Sequence, residues 1–261
     1  MSEQGWQGWD EYAPFYDWEN ARTLGRRDVP FWRRFAASSR GRVLELGCGT
    51  GRISLPLARA GIKLVGLDRS EPMLRRAVRH RAAERQRRPR QPLPLGLVRA
   101  DVRALPFAAD TFEMVLAPYG MLQSLLRDRD LTAALQAVWR VLMPGGALGI
   151  DLVPDVPRWK EYRHRVQMRG PTVGGAQLTL LESVRQDRRR RLTIFDQEYR
   201  KRIRNEVAVH RFSLTFRTLP APRMAHILDR TGFSVRAVLG DYRGRPWEEG
   251  ADVWIILAEK V

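Results

Sequence analysis

With 261 residues and 44% hydrophobic content, the chain is long enough to bury one sizeable core, and one domain with an insertion is expected rather than two independent domains. The opening Met1-Ser-Glu-Gln-Gly-Trp6 is polar and acidic, unlike a signal peptide, and no apolar run approaches the roughly 18 residues that span a bilayer, so a cytoplasmic location without a membrane partner is expected. The single cysteine, Cys48, excludes an internal disulfide, while a net charge of +17 raises nucleic acid as a partner. Only four of the 46 basic residues are lysines (Lys63, Lys160, Lys201 and Lys260), however, and that skew reads as a coding preference for arginine more than as a phosphate-binding surface.

In chain order, Trp6, Trp9, Tyr12, Phe15, Tyr16, Trp18, Phe31, Trp32 and Phe35 crowd the first stretch and predict a helical cap. The apolar run Val43–Leu46 then stops at three glycines on alternate positions, Gly47, Gly49 and Gly51, and a helical pattern over 52–60 follows at once. Strand, glycine turn and helix in that order bring a helix N-terminus to the edge of a parallel sheet, where backbone without a Cβ approaches a nucleotide-type cofactor. The spacing is not that of a dinucleotide fingerprint, because the third glycine comes one residue early and Arg52 stands in its place; the Lys-Ser/Thr of a P-loop is missing too. Lys63–Asp68 is a second strand ending in a carboxylate suited to accept both hydroxyls of a ribose.

Ser70 is an N-cap and Pro72 an early proline for a helix from 71 to about 86. Eight arginines lie between Arg75 and Arg90; a solvated face is the simpler reading and an RNA-contacting patch the alternative. Leu95–Asp101 and Phe112–Ala117 are the third and fourth strands, and Leu131–Leu142 is an amphipathic helix broken at Pro144-Gly145-Gly146. Ala147–Val153 is the fifth strand; Asp151 within it faces either the core edge or a pocket. Residues 177–185, 192–199 and 207–216 alternate like strands and predict a three-stranded antiparallel insertion, with the arginine run 188–191 as an exposed tip. A helix over 220–231, capped by Gly232, and strands at 233–239 and 253–258 close the chain.

Glu45-Leu-Gly-Cys-Gly-Thr-Gly51 resembles motif I of class I S-adenosylmethionine-dependent methyltransferases. Val65-Gly-Leu-Asp68, Ala100-Asp101-Val102 and Leu142-Met-Pro-Gly-Gly146 follow at that family's intervals. The resemblance covers roughly residues 10–153 and resumes over 220–260. It implies an α/β, Rossmann-like seven-stranded mixed sheet in the order 3-2-1-4-5-7-6, divided into a helical cap with cofactor-binding core (1–154), an inserted subdomain for substrate or oligomerisation (155–218) and a closing helix and hairpin (219–261). S-adenosylmethionine is the implied cofactor, with Tyr16, Glu45, Gly47, Cys48, Gly49, Gly51, Arg52, Asp68, Arg69, Met73, Asp101, Val102 and Ala117 at its site. In the family, the acid at 101 accepts from the adenine amine and the next backbone N–H donates to a ring nitrogen. Tyr12-Ala-Pro-Phe-Tyr16-Asp17 resembles the segment that closes over the cofactor in small-molecule methyltransferases.

Methyl transfer from a sulfonium is a direct displacement, so alignment dominates and a general base is needed only when the nucleophile stays protonated. Tyr16, Tyr119 and His210 are the candidate catalytic residues; His164, in the segment before the inserted sheet, could reach the pocket as His210 could, whereas His80 and His226 are expected to be surface or packing groups. Ala117-Pro118-Tyr119 lacks the polar first residue and second proline with which nucleic-acid amino methyltransferases hold a base. A small-molecule N or O acceptor is therefore the main reading. A tRNA or rRNA methyltransferase and a non-catalytic cofactor-binding regulator are the alternatives. No metal cluster shows a ligand spacing, Cys48 reads as a small loop residue, and exposed strand edges of the insertion predict a homodimer.

Overall fold

Each residue of Val43–Leu46 is buried, because a central parallel strand is covered on both faces. In the computed structural model, which describes residues 5–23, 28–153, 161–248, 250–251 and 253–261, this run is strand β1. It pairs in parallel with β2 (Leu64–Asp68) and β4 (Phe112–Ala117). With β3 (Leu95–Arg99), β5 (Leu142–Leu152), β10 (Phe233–Leu239) and β11 (Trp254–Lys260) the order is β3-β2-β1-β4-β5-β11-β10. That is the order expected from the sequence. β11 runs antiparallel to β5, so the last hairpin slots its second strand in beside the core.

Helices cover both faces. α2 (Val29–Ala36) and α3 (Ser54–Arg59) pack Trp32, Phe31 and Leu57 against one face; α5 (Asp128–Val141) and α6 (Ala221–Arg230) pack Leu131, Leu135, Met224 and Leu228 against the other. α4 (Glu71–Arg87) begins at Ser70, whose hydroxyl accepts from the Met73 N–H, as the N-cap reading expected. Gly149 in β5 lets α2 sit close: a Cβ there would meet Phe35 Cε1 at 2.5 Å and Trp32 Cζ3 at 3.0 Å.

The insertion is antiparallel, but it has four strands where three were expected: β6 (Tyr162–Pro171), β7 (Gln177–Asp187), β8 (Leu192–Ile203) and β9 (Glu206–Arg217), in that order. The missed strand is β6. Its register shifts twice and His164 takes a positive φ of 47°, so the alternation that identifies a strand is interrupted. α1 (Trp9–Asn20) lies on the inner face of this sheet, with Phe15 stacked on Tyr199 at 4.1 Å and the Trp18 indole N–H donating to the Pro171 carbonyl. Tyr12, Phe15, Tyr16, Met73, Leu178, Leu180, Tyr199 and Leu214 thus form a third core that joins the N-terminal cap to the insertion.

Candidate functional site

The glycine loop after β1 has the conformation its residues suggested, with φ of 64°, 55° and 87° at Gly47, Gly49 and Gly51, a region that L side chains avoid. At Gly49 a Cβ would find nothing closer than Tyr16 Cζ at 3.9 Å, so its backbone is open to a cavity of about 270 Å³. Asp68, at the end of β2, closes the adjoining wall: its carboxylate accepts from the Gly49 N–H at 2.8 Å and the Ser70 N–H at 2.8 Å. Burial raises its pKa while those backbone donors oppose the rise. The Arg69 backbone N–H acts on it in the same sense, and with about four acceptor positions the carboxylate keeps capacity for a further donor.

Behind the loop, Glu45 is 2% exposed and accepts from the Ser54 hydroxyl. Burial pushes its pKa up to about 8, so it is largely neutral at pH 7. Arg52 holds Asp28 in two parallel bonds, Nη1–Oδ1 at 2.6 Å and Nη2–Oδ2 at 2.8 Å, and its guanidinium lies 5.0 Å from the Tyr119 ring centroid. Burial works against the Arg52 charge, and hydrogen bonds to Asp28 and Tyr16 outweigh it. Its Nε is buried without a partner, and the residue lines the cavity. Burial likewise lifts the Tyr16 hydroxyl to about 12.

Tyr119 occupies a strained turn after β4, with φ of 62° at a residue bearing a Cβ. The next residue, Gly120, donates its N–H to Asp151 Oδ1 at 2.8 Å, and the Tyr242 hydroxyl donates to Asp151 Oδ2 at 2.9 Å. Asp151 therefore faces the turn from the fully buried interior, and burial moves its pKa up to about 6. At the other end of the cavity Asp101 is gripped by Arg103 through Nε and Nη2, at 2.9 and 2.7 Å, which holds its carboxyl below the usual range. Trp6 stacks there beneath Arg69, at 4.0 Å, and Arg103, at 4.9 Å.

Of the residues expected at the site, Tyr16, Glu45, Gly47, Cys48, Gly49, Arg52, Asp68, Arg69, Met73, Asp101, Val102 and Tyr119 line this one cavity. Three others do not. Ala117 is fully buried in the core of β4, and Gly51 turns toward Leu55, whose Cδ1 would lie 3.2 Å from an added Cβ. His210 sits exposed in β9 opposite Tyr199, its ring 5.2 Å from Phe15. Cys48 packs its Sγ against Gly66 and its thiol pKa is raised by burial, as befits a small loop residue. Trp6, Trp9, Asp10 and Leu125 also line the cavity and Asp28 anchors Arg52; the density of aromatics before the first strand signalled Trp6 and Trp9, and no sequence pattern singled out Asp10, Asp28 or Leu125. Among the described residues no group of three or more His, Cys, Asp or Glu is placed to hold a metal ion, and no helix is long and apolar enough to cross a membrane.

The sheet order and the glycine-loop cavity define a Rossmann-like cofactor-binding protein. Residues 43–146 match the family model described as a methyltransferase domain. The chain is 33% identical to a demethylmenaquinone methyltransferase of Thermus thermophilus over 63% of its own length and 74% of the relative's. It belongs to the S-adenosylmethionine-dependent methyltransferase family. The methyltransferase CcbJ of Streptomyces caelestis has the same fold throughout, with a TM-score of 0.80 at 19% identity over 100% of both chains. The sugar N-methyltransferase KedS8 of Streptoalloteichus matches with a TM-score of 0.74 at 17% identity over 94% of this chain and 92% of that one. The chain spans only 49% and 62% of two further curated relatives.

The cavity fits the family's cofactor. An acceptor carboxylate with spare lone pairs, Asp68, suits the ribose hydroxyls. The unpartnered Arg52 Nε suits the amino-acid carboxylate, and Met73, Val102 and Leu125 offer apolar surface for a base.

Proposed function

We propose that this chain binds S-adenosylmethionine in the 270 Å³ cavity and transfers its methyl group to a nitrogen or oxygen of a small molecule. The observation that carries this reading is the convergence of four separate stretches on that cavity: the glycine loop, Asp68 with Met73, Asp101-Val102, and the Pro118-Tyr119 turn. The cofactor supplies an electrophilic methyl on a sulfonium. Everything else falls to side chains of the chain itself. Gly47 and Gly49 bring backbone close, and Asp68 holds the ribose. Arg52, fixed by Asp28, takes the carboxylate, while Glu45 stands behind the loop and accepts from the Ser54 hydroxyl. Tyr16 and Tyr119 exclude water from the reacting end, where positioning is the main contribution to rate.

A small acceptor suits the partly enclosed cavity, whose walls include Trp9, Tyr16 and Tyr119, better than a nucleic acid does. Calorimetry with S-adenosylmethionine and with its demethylated product is the test, and saturable binding of both is expected. Binding of NAD with no response to either would overturn the assignment. Cofactor binding without turnover across a panel of amines, phenols and carboxylates would leave a non-catalytic binding protein.

A further inference from the structure

The inserted sheet has two ends of different character. At one of them Pro171, Gln177, Arg202 and Val207 stand side by side in register, so the β6–β7 turn (172–176) and the β8–β9 turn (204–205) project together. The other end carries the β7–β8 turn (188–191) and is tied to the rest of the molecule. There the Thr218 N–H donates to the Arg191 carbonyl at 2.8 Å, and Gln123 Nε2 donates to the Arg217 carbonyl at 3.2 Å. Roughly 35 Å of β8 separates the two ends.

Both ends are rich in arginine, but only the projecting one exposes aliphatic side chains. Ten large hydrophobic residues are exposed among the described ones, and four of them, Val173, Ile203, Val207 and Val209, gather there. Val173 on the first turn is fully exposed, and Ile203 and Val207, flanking the second, are each 53% exposed. Arg169, Lys201, Arg202 and Arg204 surround them, and none of these four is in an ion pair among the described residues. The nearest ion pairs take up other arginines, Arg200 and Arg211 on Glu198. Glu206 is the only acid within 167–177 and 199–211, so the charge here is strongly positive. Single apolar residues are ordinary on a surface. A cluster of them on projecting turns, rimmed by unpaired cations, marks an interaction surface.

We propose that this end of the inserted sheet docks on the anionic surface of a lipid bilayer, with the four cations at the phosphate level and Val173, Ile203 and Val207 at the acyl boundary. The apolar residues decide against RNA, since all are aliphatic and offer no ring for a base to stack on. Charge decides against a second copy held by a two-fold axis through these turns, which would set the four cations against the same four. Pairing of copies along the outer strand edges leaves the turns open and is compatible with docking. The contact is peripheral and needs no spanning helix.

The test uses the full chain with phosphatidylcholine vesicles, either pure or containing phosphatidylglycerol, at physiological salt. Flotation should show at least about tenfold tighter binding to the anionic vesicles. An environment-sensitive dye reports depth. Cys48 is buried, so the thiol of Gly174→Cys, where a Cβ meets nothing closer than Thr172 Oγ1 at 4.0 Å, is the one labelled. Its emission should shift to the blue on anionic vesicles, and the same dye on Arg189→Cys should not respond. Arg202→Gln with Arg204→Gln, and separately Val173→Ser with Ile203→Ser, should each weaken binding at least about tenfold. Arg188→Gln with Arg189→Gln, the same change of charge at the other end, should weaken it about twofold or less. All these side chains are exposed, and an unchanged melting temperature shows that a variant has folded. No preference for the anionic vesicles, equal losses from the two ends, or a blue shift at both labelled positions would overturn the surface. RNA binding that is lost with Arg202→Gln and Arg204→Gln, without flotation, would overturn it as well and assign this end to nucleic acid.

Discussion

Asp68 shows how one side chain can serve both loop and ligand: its bonds to the Gly49 and Ser70 N–H groups tie the glycine turn to the N-terminus of α4, and its remaining acceptor capacity suits a ribose. Asp68→Ala should therefore weaken S-adenosylmethionine binding by roughly 1–3 kcal/mol, measured by calorimetry. Ser70→Ala removes the hydroxyl that caps α4 and should lower stability by about 1 kcal/mol in denaturant titration. Asp151 acts on pH. Its pKa is raised by burial to about 6, so the folded state holds the proton more tightly than the unfolded chain does. The associated stability is complete below the unfolded carboxyl pKa and is lost as pH rises through about 6. Asp151→Asn should abolish that decline, on the order of 2 kcal/mol between about pH 4 and pH 7, as read from melting curves across the range.

At the scale of elements, the packing of α2 on β5 depends on the missing side chain at 149. Gly149→Val would drive Phe35 and Trp32 off the sheet and should cost about 1–3 kcal/mol of stability. The inserted sheet offers a different kind of contact. β6 and β9 are its outer strands, and the β8–β9 end exposes Ile203, Val207 and Val209. A homodimer through residues 177–218 is the expected consequence, and sedimentation showing a monomer at high micromolar concentration would end that idea. Because α1 and the insertion share one aromatic core, exchanging 155–218 with the insertion of a related enzyme should change acceptor preference in a turnover screen.

For the molecule as a whole, many arginines are engaged within the fold, Arg75 and Arg99 with Glu71, Arg59 and Arg88 with Glu84, and Arg217 and Arg223 with Asp128, although such pairs leave the net charge at +17. Weak RNA affinity at physiological salt is expected, and a tight complex with a steep salt slope would move the acceptor class to RNA. The sequence by itself determined the first strand, the glycine turn after it, the acid at the end of the second strand and the serine cap, because these are short-range patterns. The sheet order and the cofactor came instead from the resemblance that those motifs bear to a methyltransferase family. Tertiary structure alone decided what those patterns meet. Nothing local showed that Asp28 would fix Arg52, that Asp151 would turn inward to the Tyr119 turn, or that a bulged β6 would complete the inserted sheet. Nor could residue spacing bring Phe15 onto Tyr199, 184 positions apart in the chain. Such contacts join residues distant in sequence, and their chemistry exists only once burial has removed the water that would otherwise have satisfied each group on its own.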